Sequence, residues 1–504
     1  MKHKLSALGL AIIGSLSAQA ALASGYHFGS QSASAQGTAN ANTAEASDAS
    51  VLFYNPAGMT RLDGTHASGV LNIVLPRGSY TDQGSITSFG LPVKNGNDGG
   101  TFVKPTAVPH AYITHKLNAN TSVGFAFFVP FGSKSTYDES WSGRYNAIAT
   151  ELKTIALNPS IAYKVNEKLS LGAGVTAQHI EGVLAKAADF GSGAMGLIVE
   201  QQVAAAMAAQ PGVPAAMIRA AVLNRLGGLI QNVSGNPTYS GRVDVEGKDW
   251  GLGYNLGLMY SPNETTRFGI AYRSKIGHKL KGEAQWQVAT PAGNLAALLN
   301  AALPGTGAGT TVQQRLVGLY TDSDATLKVD TPESLSLSFF KQQDKLAVMA
   351  DVTLTRHSRF QELRIDFANN LPDSLTPERW VKTVRGSFGL NYQWSDTVKL
   401  RGGIAFDQSP VSESNRTPSI PDNDRTWISA GMNWKLDAKN SIDFAASLIH
   451  VAASQINMYD NGAQVNAAGA PVCNAAGNTS SCATIKGRFK LNSGLLGVQY
   501  NRQF

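Results

Sequence analysis

"VRGSFGLNYQWSDTVKLRGGIAFD", Val384 to Asp407, holds two alternating runs joined by a short polar turn. In the first run Val384, Phe388, Leu390, Tyr392 and Trp394 share one parity, and Arg385, Ser387, Asn391 and Gln393 share the other. In the second, Val398, Leu400, Ile404 and Phe406 oppose Lys399, Arg401, Gly403 and Ala405. Side chains alternate across a strand, so a period of two makes this a hairpin with one apolar face. "WISAGMNWK" continues the pattern with Ile428, Ala430, Met432 and Trp434. A soluble sandwich alternates in the same way, so the connections must decide between sandwich and membrane barrel.

Six connections are short, polar and alike: "KLNANTS", "KVNEKLS", "SPNETTR", "KQQDKLA", "WSDTVKL" and "LDAKNSI". Between them lie longer, irregular stretches rich in Gly, Pro and Asn. Six short turns interleaved with seven long loops require fourteen strands. An even count, with short turns on one side and long loops on the other, is the pattern of an all-β transmembrane barrel of antiparallel strands. Tyr163, Tyr260, Phe340, Trp394 and Trp434 each precede a short turn and are expected to form the periplasmic aromatic girdle. The last segment, "LLGVQYNRQF", sets Leu496, Val498, Tyr500 and Phe504 on one face, as expected of a closing strand, with Arg502 at the headgroup level.

Composition agrees with an exported barrel. Lys2 and Lys4 precede the apolar "LSALGLAIIGSL", and "ALA" at Ala21 to Ala23 offers small residues for cleavage, so residues 1–23 read as a signal peptide. No later run reaches the roughly 18 apolar residues of a membrane helix. Net charge is +7, or +5 without Lys2 and Lys4, and it is dispersed, which gives no footing for nucleic acid. Cys473 and Cys482 are the two cysteines; in an oxidising compartment they are expected to pair as a disulfide pinning a loop, and no neighbouring residues complete a metal site.

Barrel diameter grows with strand number, and fourteen strands leave a lumen too wide for side chains alone to fill. The uncommitted segment, residues 24–64, is therefore expected to be a hatch inside the barrel, residues 65–504. It is rich in Ser, Ala, Asn and Thr but carries an apolar knot, Val51 to Tyr54, stopped by Asn-Pro-Ala. Phe53, Tyr54, Asn55, Pro56 and Ala57 are the expected gate. In the long loops, "AMGLIVEQQVAAAMAAQ", "AAMIRAAVLNRLGGLIQ" and "GNLAALLNAAL" read as amphipathic helices on the outer side. The apolar row Ile218, Val222, Leu226 and Leu229 either packs against the rim or forms a groove that collects hydrophobic molecules. In "SVGFAFFVPFGS", Pro130 removes a ladder donor, so Pro130, Phe131 and Gly132 mark either a lateral opening in the wall or the strand's outer end.

These residues resemble the FadL family of outer-membrane transporters for long-chain fatty acids and other hydrophobic compounds, toluene transporters included. The matching stretches are "NPAGM" at Asn55 to Met59, "VPFG" at Val129 to Gly132, and the segments Trp141 to Gly174 and Phe406 to Leu436, with the Pro-spaced "RTPSIPDNDRTW". The resemblance implies a hatch-plugged barrel of fourteen strands, hydrophobic sites in outer loops and lumen, and lateral release near a kinked third strand. The expected function is passive uptake of long-chain fatty acids, or of aromatic hydrocarbons such as toluene, with a general porin as the weaker rival. No cofactor, metal or catalytic group is expected. Arg144, Arg385, Lys399 and Arg401 are candidates for a ligand carboxylate by charge and parity; a structural ion-pair network with Asp407 and Asp443 explains them equally well. The expected setting is a monomer in the outer membrane of a Gram-negative bacterium, among its lipids and lipopolysaccharide.

Overall fold

The computed structural model describes residues 25–473 and 479–504, so the expected leader lies outside the described residues. Alternation closes into a single antiparallel barrel. The wall is crossed by Thr65–Asp82, Thr106–Lys116, a third crossing split into Thr121–Phe128 and Gly132–Thr136, then Ala149–Lys164, Leu169–Ala188 and Gly241–Asn263. The seventh and eighth crossings are also split, as Thr266–Arg273 with Ile276–Gln287 and Ser323–Thr331 with Ser334–Gln343. Leu346–Thr355, Thr383–Gln393, Val398–Asp407, Arg425–Lys435, the split Asn440–Val451 with Ser454–Tyr459, and Thr484–Gln503 complete the fourteen. A hairpin of Glu362–Phe367 and Ser374–Pro377 stands on the outer rim, beyond the ninth crossing. The first and last crossings pair from His66 with Gln503 to Asp82 with Gly487, which closes the barrel and leaves no free edge there.

Lipid-facing parity follows the sequence. Leu400, Ile404 and Phe406 are exposed outward, whereas Arg401, Ala405 and Asp407 on the same strand are buried inward. The girdle aromatics Tyr163, Tyr260, Trp394 and Trp434 are exposed near the short turns. Phe340 is the exception: it is 4% exposed and lies inside, under the Arg267 guanidinium at 3.8 Å from the ring centroid. The eighth crossing breaks at Pro332 and Glu333, between Thr331 and Ser334, and the inward parity changes from odd to even across that break. Phe339 consequently takes the outward place and meets Phe268 at 5.4 Å.

Long helices occur where the outer loops predicted them, at Phe190–Ala209, Ala215–Val233 and Ala289–Ala302, and a fourth, Ala308–Leu319, follows in the same loop without having been expected. Ile218, Val222 and Leu226 are buried in one apolar cluster with Ile198, Leu295 and Leu316, and Leu229 packs against its edge. The row is thus the core of a helical cap and not a free greasy stripe. Of the described residues, no helix is long and apolar enough to cross a membrane. Cys473 and Cys482 form a disulfide in the last outer loop.

Candidate functional site: an apolar passage closed by the hatch

Residues 25–64 run inside the barrel, and their small polar composition suits a backbone that must find partners on the lumen wall. Ala33 N donates to Gln499 Oε1 at 3.0 Å, Thr43 N to Asp351 Oδ2 at 3.1 Å, and Gln36 Nε2 to Leu495 O at 2.8 Å. From the wall, Arg267 Nε donates to Ala44 O and Arg385 Nη2 to Ala39 O, both at 2.8 Å. The centre of the hatch is fixed by charge. Glu45 accepts from Arg401 Nη1 at 3.0 Å and from Asn391 Nδ2 at 2.8 Å, with Lys399 Nζ at 3.5 Å, and Arg401 Nη2 reaches Asp443 Oδ1 at 3.3 Å. Lys399 and Arg401 therefore pair with Glu45 of the hatch, Arg401 also with Asp443 of the wall, whereas Arg385 meets the hatch only at a backbone carbonyl.

Below this cluster, the apolar knot becomes the short helix Val51–Tyr54 and the 3-10 turn Pro56–Arg61. Asn55 Oδ1 accepts from Ala57 N at 3.1 Å and its Nδ2 donates to Leu258 O at 3.0 Å. The turn presses on wall glycines: a Cβ on Gly172 would lie 2.4 Å from Ala57 N, and one on Gly257 would lie 2.1 Å from Asn55 Oδ1. Leu52, Ala57 and Met59 are buried against Tyr112, Phe128 and Met259. Asn55, Pro56 and Ala57 are thus the bolted half of the hatch. Phe53 and Tyr54 stand above them, where Phe53 packs on Phe128 at 5.0 Å and under the Arg273 guanidinium at 4.6 Å.

The other end of the hatch meets the break in the third crossing. The second crossing pairs with the third only from Ala111–Phe127 to Lys116–Ser122, and Gly132–Thr136 pairs only with the fourth. Thr106 to His110 therefore have no strand partner on that side, which leaves a slot bounded above by Thr136 N donating to Phe102 O at 2.8 Å. The hatch covers it from inside. Gly132 N donates to Tyr26 O at 2.7 Å, Phe28 N donates to Pro130 O at 2.9 Å, and His27 bridges Phe131. Pro130, Phe131 and Gly132 accordingly sit at a real interruption in the wall, stitched to a three-residue strap, Tyr26 to Phe28.

Above the strap lies an apolar passage. An apolar cavity is lined by Tyr26, Leu152, Leu280, Leu327, Val329 and Phe360. A second reaches toward Trp286, Phe367 and Met458; the two share Leu184, Val245, Leu363, Ile365 and Glu378, so they adjoin along the same stretch of lumen. Its floor is aromatic: Tyr26 meets Trp380 at 5.1 Å, Phe131 at 5.7 Å and Phe360 at 6.1 Å. Beneath that floor, a more polar cavity is lined by His27, Phe53, Tyr54, Pro130, Phe131, Arg273, Arg385, Asp351 and Asp407. Arg273 Nη1 and Arg385 Nε are buried there without a hydrogen-bond partner among the described residues. Tyr26 therefore separates an apolar passage from a polar chamber that holds both Arg273 and Arg385 and Asp351 and Asp407 and reaches the slot at Pro130.

Arg144 lies away from both spaces. It is buried in the outer loops, where Nη2 donates to Gly235 O at 2.6 Å and to Lys94 O at 2.9 Å, tying three loops together. Sequence reasoning missed Tyr26, Phe360, Trp380 and Arg273. "GYHFG", an aromatic run inside a segment otherwise built of small polar residues, is the signal that points to the strap. Among the described residues, no cluster of His, Cys, Asp and Glu could hold a metal ion.

Residues 14–504 match the family described as outer membrane protein transport protein (OMPP1/FadL/TodX). The chain is 37% identical over 494 residues to an outer membrane protein of Neisseria meningitidis, covering 96% of this chain and 95% of that one. It is 27% identical over 444 residues to the long-chain fatty acid transport protein of Escherichia coli, covering 88% and 90%. In fold it is similar to the crystal structure of a Pseudomonas aeruginosa FadL homologue, with a TM-score of 0.75 and 24% identity, covering 95% of this chain and all of that one. The hatch-filled barrel of fourteen crossings belongs to the OMPP1/FadL/TodX family of outer membrane transport proteins, which take hydrophobic compounds across the Gram-negative outer membrane.

Proposed function

We propose that the chain is a monomeric, passive uptake channel for long-chain fatty acids, with no catalytic role. The ligand is captured among the outer loops, held in the apolar passage above Tyr26, and released sideways into lipid through the slot at Pro130 once the strap moves. The observation that carries this reading is the alignment of three features: an elongated apolar passage, an aromatic floor made partly by the hatch, and a wall interruption that the same strap covers. A long flexible chain fills such a space along its length. An aromatic hydrocarbon such as toluene is the second reading, because an apolar lining accepts a ring as well.

In this mechanism the lower chamber receives the polar end. Arg273 and Arg385 carry unpaired buried N–H groups facing it, and burial strengthens their pull on a carboxylate. The gate moves from Asn55–Ala57 to the strap, since Asn55, Pro56 and Ala57 are wedged against wall glycines. Nothing in the passage requires an energy source: the free energy of an apolar ligand falls as it leaves water for the bilayer.

A cysteine pair at His27 and Phe131 tests this. In the double variant H27C/F131C, oxidation is expected to stop fatty-acid uptake into cells lacking another transporter, and reduction to restore it, with the unsubstituted protein treated in parallel. Uptake unaffected by a formed cross-link would overturn strap gating. Competition for the same uptake by toluene at equal potency would favour the aromatic reading.

A further inference from the structure

The outward face of the last crossing changes character partway along. Tyr500, Val498 and Leu496 face lipid, and then Lys490, Arg488 and Lys486 take the same parity, each exposed. Tyr500 to Lys490 covers about 33 Å of strand, or about 25 Å along the membrane normal at the usual barrel tilt. Lys490 therefore stands at the outer interface, with Arg488 and Lys486 above it. On the first crossing, Leu71, Ile73 and Leu75 lead outward to Arg77. Arg77 pairs with Asn492 and Ser79 with Lys490, which sets Arg77 diagonally beside Lys490.

Among the described residues, Arg77, Lys486, Arg488 and Lys490 take part in no ion pair. On the thirteenth crossing their register partners are neutral, with Gln455 opposite Arg488 and Asn457 opposite Lys486. Of the nearby acids, Asp82 accepts from Gly84 N and Ser85 N, and Asp98 accepts from Asp82 N. Successive outward residues are about 7 Å apart, so the four charges repel one another unless an anion lies across them.

We propose that this face is a binding site for a phosphorylated, multiply acylated lipid of the outer leaflet, that is, lipopolysaccharide. Its phosphates bridge Arg77, Lys486, Arg488 and Lys490, while its acyl chains lie along Leu71, Leu75 and Leu496. Phosphate carries the anionic charge that the four cations need, and the apolar rows directly beneath them fit acyl chains that the same molecule supplies. The site lies on the barrel's outside and does not depend on the transport reading.

The test is lipid retention. Protein extracted from native outer membranes in mild detergent is assayed by native mass spectrometry and by phosphate and hydroxy-acyl content per barrel. Combined R77Q, K486Q, R488Q and K490Q should lower retained lipopolysaccharide by on the order of tenfold or more, since each cation near an anionic surface contributes appreciably. A control set in the short turns, K168Q, K345Q and K439Q, should retain as much as the parent. If the fourfold variant fails to fold, the pair R488Q and K490Q should give a partial loss with an unchanged unfolding temperature. Equal retention in all variants, equal loss in the control set, or retention of glycerophospholipid in place of lipopolysaccharide would each overturn the site.

Discussion

Glu45 carries the charge that fixes the hatch, because two wall cations and one wall amide converge on it. Removing one member of a buried ion pair costs about 3 to 5 kcal/mol, since the partner is left charged and desolvated. Glu45→Gln keeps the shape and withdraws the charge from Arg401 and Lys399. Hydrogen exchange of residues 33–48 is expected to rise sharply in this variant while the wall strands stay protected; unchanged exchange would make the pair incidental. Glu378 is a different kind of residue, buried on the outer side between the two upper cavities. Burial pushes its pKa up from 4.5 to about 8, against the hydrogen bond from Trp380 Nε1 at 3.0 Å. A native pKa above the unfolded one means that the fold holds this proton, so the stabilising contribution is complete below about 4.5 and is lost as pH rises through 8. Binding of a neutral hydrocarbon in the passage should weaken above that pH, and Glu378→Gln should flatten the profile; a wild-type profile that is already flat would refute the assignment.

At the scale of elements, the third crossing shows how one residue shapes a wall. Pro130 cannot donate to a ladder, and the pairing between the second and third crossings stops at Ala111 and Phe127, just below it. Pro130→Ala returns the missing donor, and uptake should fall severalfold while binding in the passage persists; unaltered uptake would argue that the slot is not the exit. This interruption could be read in the sequence because proline announces itself. So could the fourteen crossings, through alternation and similar short turns. Other features could not. Phe340 lies inside because a break at Pro332 and Glu333 resets the parity, and its place just before a short turn does not tell which face it takes. The aromatic floor joins Tyr26, Phe131, Phe360 and Trp380, residues separated by most of the chain, and no local pattern brings them together. Lys399 and Arg401 were legible as inward cations, but their partner Glu45 lies more than three hundred residues away. Parity tells which way a side chain points and is silent about what it meets.

For the whole molecule, the packed hatch decides what kind of channel this is. Its backbone bonds to opposite walls, at Gln499, Asp351 and Arg385, and it leaves separate cavities instead of a continuous aqueous bore. Reconstituted in planar bilayers, the protein should show no large steady conductance, and loosening the hatch by Glu45→Gln should introduce brief openings. A wide, constantly open state in the parent protein would place it with the general porins. The helical cap adds to the closure: Arg144 ties loops at Lys94 and Gly235, while Ile218, Val222 and Leu226 seal the helices together.

The route of the chain also constrains how the protein can be assembled. The hatch precedes the first strand, yet its strap pairs with the third and its centre binds the tenth and eleventh, while the seam joins first to last. A plug fastened on so many sides has no opening through which to enter a finished cylinder. Residues 25–64 must therefore be enclosed as the sheet curls, with the last strand zipping up only after the hatch is seated. The hatch then serves as the mandrel on which the barrel is wound, and its damage should appear as slow or incomplete insertion before it appears as leakage.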